Sequence, residues 1–159
     1  MYRGKKISLV IPAYNEEKLI VPTLENVPSQ IDSVYVVDDA SPDLKMAEVV
    51  ESFSKKDPRV KLLRHKENQG PGGGIITGYL QSSKDGNDIA VVIGGDNQML
   101  LSEVERFLDP IIDGKADYVK GNRFLTAALE DTLSKMPTIR LFGNWLITGL
   151  TKIASGQYK

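Results

Sequence analysis

Short apolar runs alternate with amphipathic stretches along most of the chain. Ile7–Ile11, Ser33–Asp38, Val60–Arg64, Ile89–Ile93 and Asp117–Gly121 have the length and composition of strands. Glu16–Asn26, Pro42–Ser54, Gly72–Ser83 and Ser102–Ile112 lie between them and carry helical spacing. Strand–helix alternation of this kind predicts an α/β fold with a mostly parallel, doubly wound sheet flanked by helices. Ser41 or Asp43 is placed to cap the second helix, and Ser102 with Glu105 forms a capping box for the fourth. Thr138–Ala154 reads as a further helix, apolar at Ile139, Phe142, Trp145, Leu146, Leu150 and Ile153. That stripe suits either a core helix or one at a membrane surface or partner interface, with Trp145 as anchor.

Two strands end in acids. Val34–Val37 runs into Asp38-Asp39-Ala40-Ser41, and Ile89–Ile93 into Gly94-Gly95-Asp96-Asn97-Gln98. In an open α/β sheet the C-terminal strand ends form the ligand crevice, so carboxylates there face a base, a sugar hydroxyl or a metal. Helix capping is the plainer use of Asp38 and Asp39, although two adjacent acids exceed what one cap needs. In Ile11-Pro12-Ala13-Tyr14-Asn15-Glu16 a strand ends as proline stops the ladder, and a helix begins almost at once. There Tyr14 can stack on a base and Glu16 can accept a ribose hydroxyl. A simple turn capped by Asn15 is the alternative.

Gly70-Pro71-Gly72-Gly73-Gly74 precedes a helix, and free N–H groups at such a start favour an anion. Close helix–sheet packing explains the glycines equally well. No Gly-Lys-Ser/Thr follows, and the third glycine of a dinucleotide fingerprint would fall on Ile75. Arg123, just past the fifth strand run, is suited to bidentate phosphate contact.

Composition narrows the chemistry. The 159 residues carry 21 acids against 20 bases, which gives no basic face for nucleic acid. There is no cysteine and one histidine, His65. A bound metal would therefore have oxygen ligands, which favours Mg²⁺ or Mn²⁺. No stretch is apolar enough to cross a bilayer, and Met1–Lys6 leads straight into a strand rather than a signal-peptide core.

Taken in order, these motifs resemble the family-2 glycosyltransferases with a GT-A, Rossmann-like nucleotide-sugar-binding fold. The match covers roughly residues 5–155 and rests on Ser8–Glu17, Val36–Asp43, Asn68–Gly70 with Gly78, Gly95–Gln98 and Gly121–Phe124. Within the family the chain is most similar to the dolichyl- and polyprenyl-phosphate sugar transferases, the mannosyltransferases among them. The resemblance implies one transferase domain over 1–159, with a nucleotide-sugar portion at about 5–125 and an acceptor-side helical segment at about 126–159. It implies that Pro12, Tyr14, Glu16, Asp38, Asp39, Asp96 and Gln98 bind the nucleotide sugar. Asp96 and Gln98 would hold Mg²⁺ or Mn²⁺, Asp96 and Arg123 would act in catalysis, and Arg123, Arg140 and Asn144 would face the acceptor phosphate.

Gly94 stands where the family has the first acid of Asp-x-Asp, which weakens the expected metal site. Family members also continue beyond the position of Lys159, so the sequence is expected to be an N-terminal portion lacking part of the acceptor and metal sites. The expected reaction is inverting transfer from a UDP- or GDP-linked sugar to a lipid phosphate. It would occur at the cytoplasmic face of a membrane, with self-association as a further expectation and no nucleic-acid partner. Alternatives are a polysaccharide or protein acceptor, or a nucleotide-binding module without transfer. A nucleotidyltransferase would need a glycine- and arginine-rich loop where Pro12-Ala13-Tyr14-Asn15 stands.

Overall fold

The computed structural model describes residues 1–96, 99–121, 143 and 145–151. The chain divides into two compact units, Met1–Val119 and Lys120–Lys159. In the first, strands β1 (Ile7–Ala13), β2 (Ser33–Asp38), β3 (Val60–Arg64) and β4 (Ile89–Val92) form one sheet in the order β3-β2-β1-β4. Every pairing is parallel. Helices α1 (Ile20–Glu25), α2 (Lys45–Ser54), α3 (Gly70–Lys84) and α4 (Val104–Ile112) connect or follow the strands.

The central strands β1 and β2 are buried on both faces because their residues alternate between two apolar layers. Leu9, Ile11, Val34 and Val36 pack with Ile20 and Leu24 of α1, Met46 and Val50 of α2, and Val104 and Leu108 of α4. Val10, Tyr35 and Val37 form the opposite layer. There α3 approaches so closely that a Cβ on Gly78 would lie 2.2 Å from Val10 Cγ1, and one on Gly74 2.9 Å from Pro12 Cβ. Those two glycines therefore serve close helix–sheet packing.

Chain order β1-β2-β3 runs to one side of β1, and β4 then returns to the other. The order reverses between β1 and β4, so the switch-point crevice lies outside their C-terminal ends.

Several expectations shift in detail. Pro12 does not end β1: the ladder with β2 continues through Pro12↔Val37 to Ala13↔Asp38. The ladder with β4 stops at Val10↔Val92. Pro12 points its missing N–H to the β4 side, beyond the last rung, where nothing is lost. α1 starts at Ile20 rather than Glu16, because Asn15 adopts a left-handed φ of 58° and a turn follows. Ser102 does not cap α4. A 3₁₀ turn over Leu101–Glu103 takes up that position, and Glu105 Oε1 accepts from Gln30 Nε2 instead. Neither Ser41 nor Asp43 caps α2: its N-cap position is Leu44, without a side-chain cap bond, and Asp43 Oδ1 makes a local bond instead, accepting from Lys45 N at 3.0 Å.

Asp117–Gly121 is not a strand. Only Tyr118 and Val119 are apolar there, and Tyr118 is exposed, so the run has no face to bury. In the second unit, Gly143 and 145–151 are helical. Trp145, Leu146, Ile147 and Leu150 are exposed there. Ile139, Phe142 and Ile153 lie outside the described residues.

Candidate active site

Because all four strands are parallel, everything that follows them shares one edge of the sheet. Tyr14 and Glu16 come from the β1–α1 junction, Asp39 from β2–α2, and Asp96 from the segment after β4. These four sequence-predicted residues are thus brought to the same C-terminal edge. Gln98, Arg123, Arg140 and Asn144 lie outside the described residues.

The junctions are latched together. Asp39 N donates to Ala13 O at 3.0 Å, and Asn15 N to Ser41 Oγ at 2.9 Å. Ala40 holds a left-handed φ of 61°, a conformation that costs a non-glycine residue roughly 1 kcal/mol or more. Tyr14 is half-exposed, so its ring is available at the edge.

Glu16 and Asp96 lie within electrostatic reach of each other near the switch point. Glu16 Oε2 is buried without a hydrogen-bond partner. A Cβ on Gly95 would lie 2.2 Å from that oxygen, so Gly95 is what lets the carboxylate approach the chain after β4. A Cβ on Gly94 would sit 3.1 Å from Asp96 Oδ1. Burial, and then the charge of Asp96, push the Glu16 carboxyl above its ordinary range. A half-buried carboxylate with one enclosed oxygen lacking a donor, within electrostatic reach of a second carboxylate, is an environment suited to a hard cation. Among the described residues, no group of three or more metal-ligating side chains gathers.

Asp38 departs from expectation. Its side chain is fully buried, Oδ1 accepts from Ser41 N at 2.9 Å, and Oδ2 lies 3.3 Å from Arg64 Nε without hydrogen-bond alignment. Arg64 Nη2 in turn donates to Ser41 O at 3.0 Å. Asp38 thus shapes the β2–α2 turn and has no surface to offer a nucleotide. The reason is its position as the last residue of β2, where its side chain still points into a packed layer.

Asp39 is also engaged by protein. Its Oδ1 accepts from Gln69 N at 2.9 Å and from His65 Nδ1 at 2.7 Å, while its carbonyl accepts from Asn68 Nδ2. Burial raises this carboxyl, but the Gln69 amide, His65 and the Gly70 amide outweigh it and hold it below the usual carboxylate range. The glycine-rich start of α3 therefore already faces an anion, and that anion is Asp39. Phosphate cradling by these amides, one reading of the glycine run, would have to displace it.

His65 and Thr77 were not singled out by sequence as site residues. The available signal was placement, since His65 directly follows β3 and so falls at the same edge.

The Glycosyl transferase family 2 profile matches residues 8–153. The chain belongs to that family. It is 32% identical to a UDP-N-acetylglucosamine–dolichyl-phosphate N-acetylglucosaminyltransferase of Methanococcus voltae, over 97% of this chain and 65% of that protein. It is 30% identical to a polyprenol monophosphomannose synthase of Mycolicibacterium smegmatis, over 74% of this chain and 44% of that one. Among solved structures it is similar to S. aureus TarS 1-349 in complex with UDP. There the TM-score is 0.52 and the identity 27%, over 65% of this chain and 32% of that one. The chain spans less than two thirds of the length of each of these relatives. The parallel sheet with helices on both faces is the GT-A arrangement of this family.

Proposed function

We propose that this glycosyltransferase moves a sugar from a UDP- or GDP-linked donor to a dolichyl- or polyprenyl-type lipid phosphate, with inversion at the anomeric carbon. The observation that carries the reading is the convergence of Tyr14, Glu16, Asp39 and Asp96 from three junctions on one sheet edge. The printed names of the relatives support the lipid-phosphate acceptor.

In this reading Pro12 and Tyr14 border the nucleoside, and Asp39 offers it the oxygen not used by His65 and Gln69. Glu16 meets a ribose hydroxyl. Asp96, with Gln98, would hold Mg²⁺ or Mn²⁺, which when bound supplies positive charge to the departing diphosphate. Arg123 adds charge at the phosphate, and Arg140 and Asn144 face the acceptor phosphate. An oxygen of the lipid phosphate forms the new bond to the anomeric carbon as the bond to the diphosphate breaks. The nucleophile is already an anion, so no protein base has to remove a proton. Residues 1–159 act as one transferase domain, its apolar C-terminal helix at the cytoplasmic membrane surface or against a second copy. Among the described residues no helix is long and apolar enough to cross a membrane.

The sugar is to be decided between mannose, implied by the resemblance to the mannosyltransferases of this branch, and N-acetylglucosamine, named for the Methanococcus voltae relative. Incubation with labelled GDP-mannose or UDP-N-acetylglucosamine, polyprenyl phosphate and Mn²⁺ tests this through label extracted into lipid. Nucleotide binding without labelled lipid would favour the second reading, a binding module. Gly94, in place of an acid, is the observation on that side.

A further inference from the structure

His65 is the chain's single histidine, and its ring links three elements at the sheet edge. Its Nδ1 lies 2.7 Å from Asp39 Oδ1 after β2, and its Nε2 lies 2.8 Å from Thr77 Oγ1 on α3. Its own amide donates to Asp38 O at 2.9 Å. The side chains of His65 and Asp39 are 8% and 5% exposed, so these bonds compete with little water.

The tautomer follows from the partners. An ionised carboxylate can only accept, so Nδ1 carries the proton toward Asp39. In the neutral ring Nε2 then accepts from the Thr77 hydroxyl. Thr77 lies within α3, the helix fixed against β1 by Gly74 and Gly78. The ring is thus braced from a rigid helix and bears on a single carboxylate oxygen. With Oδ1 held by both His65 Nδ1 and the Gln69 amide, these two donors set the orientation of the Asp39 carboxylate.

We propose that His65 is a positioning residue for nucleoside recognition: braced by Thr77, it fixes the Asp39 carboxylate in the one orientation that offers Oδ2 to the donor nucleotide. This rests on the reading above that Asp39 contacts the nucleotide. His65 itself touches neither nucleotide nor sugar. Its effect falls on nucleoside affinity and not on the binding of the diphosphate.

Calorimetric titration of the chain with UDP, GDP and inorganic pyrophosphate tests the assignment, using wild type, His65→Ala, His65→Asn and Thr77→Val. An asparagine amide can still donate to Asp39, whereas alanine cannot. His65→Ala should lose tenfold or more in affinity for the preferred nucleotide, with pyrophosphate affinity unchanged. His65→Asn should recover most of that loss, and Thr77→Val should lose a few-fold. A wild-type chain that binds neither UDP nor GDP sinks the nucleotide reading and this inference together. Binding by wild type that His65→Ala leaves within twofold overturns the inference alone. So does a loss shared equally by pyrophosphate, or one that His65→Asn does not recover, since either marks a purely structural role. If His65→Ala does not fold, Thr77→Val decides: unchanged nucleotide affinity there contradicts the bracing.

Discussion

Gly95 lies against Glu16: a methyl group added to Gly95 would come within 2.2 Å of Glu16 Oε2 and 3.2 Å of Ala13 Cβ. The first neighbour is the end of a flexible side chain and can move away. Gly95→Ala is therefore expected to fold with a small loss, about 1 kcal/mol. It should displace the Glu16 carboxylate from the crevice. Nucleotide affinity in the presence of Mn²⁺ should fall more than the melting temperature indicates. Unchanged affinity would mean that the Glu16 position is irrelevant to the ligand.

The raised Glu16 carboxyl has a consequence for stability against pH. Its folded value lies above the unfolded one because burial, then Asp96, penalise the charged form. Between the two values the folded state holds more proton than the unfolded state, so stability falls as pH rises through that window. Glu16→Gln should remove this descending segment and raise the melting temperature at neutral pH. Melting curves from pH 4 to pH 8 check this; a variant less stable than wild type at neutral pH would show that the carboxylate is satisfied by its surroundings.

The glycines of α3 divide by what a side chain would meet. Gly78→Ala would drive a methyl group to 2.2 Å from Val10 Cγ1, and α3 must shift to admit it. The expected cost is about 1–3 kcal/mol in urea unfolding. Gly72 has nothing within 4 Å of its Cβ position. Gly72→Ala should be neutral or gain up to roughly 1 kcal/mol from helix propensity. Equal effects of the two substitutions would refute the close contact.

Much of this arrangement was legible in the sequence. Strands β1 to β4 declare themselves as branched-chain runs, and strand–helix alternation then dictates a parallel sheet with its loops at one edge. The shared edge of Asp39 and Asp96 follows from the sequence because position after a parallel strand is a topological property. What each carboxylate does was not legible. Asp38 and Asp39 are neighbours in sequence, yet one is enclosed in a turn by the Ser41 amide and the other bonds to His65 and Gln69. Those partners lie 26 and 30 residues away from Asp39, beyond any local pattern. The Glu16–Gly95 contact spans β1 to β4 and is equally invisible to spacing. The expected strand at Asp117–Gly121 failed because two apolar residues without a partner strand do not make a rung.

The helix around Trp145 leads to a different expectation. Trp145, Leu146, Ile147 and Leu150 are exposed within two turns, and clustered apolar surface of that kind usually finds a partner. Light scattering should show self-association at micromolar concentration, reduced by Leu150→Ser. A monomer unaffected by that change would indicate that this helix is not a self-interface.

The C-terminal edge of the sheet is the proposed binding site of the donor nucleotide. Amide NMR spectra of the labelled chain, titrated with UDP or GDP in the presence of Mg²⁺, test it most directly. The predicted result is shift changes confined to the strand ends: Tyr14, Glu16, Asp39, His65, Gln69 and Asp96. Tyr35 Oη and Asp85 Oδ2, bonded at 2.8 Å beside Asn87 at the opposite edge, provide the internal control and should not respond. Shifts centred on Tyr35 and Asp85, or none at any nucleotide concentration, would contradict the account.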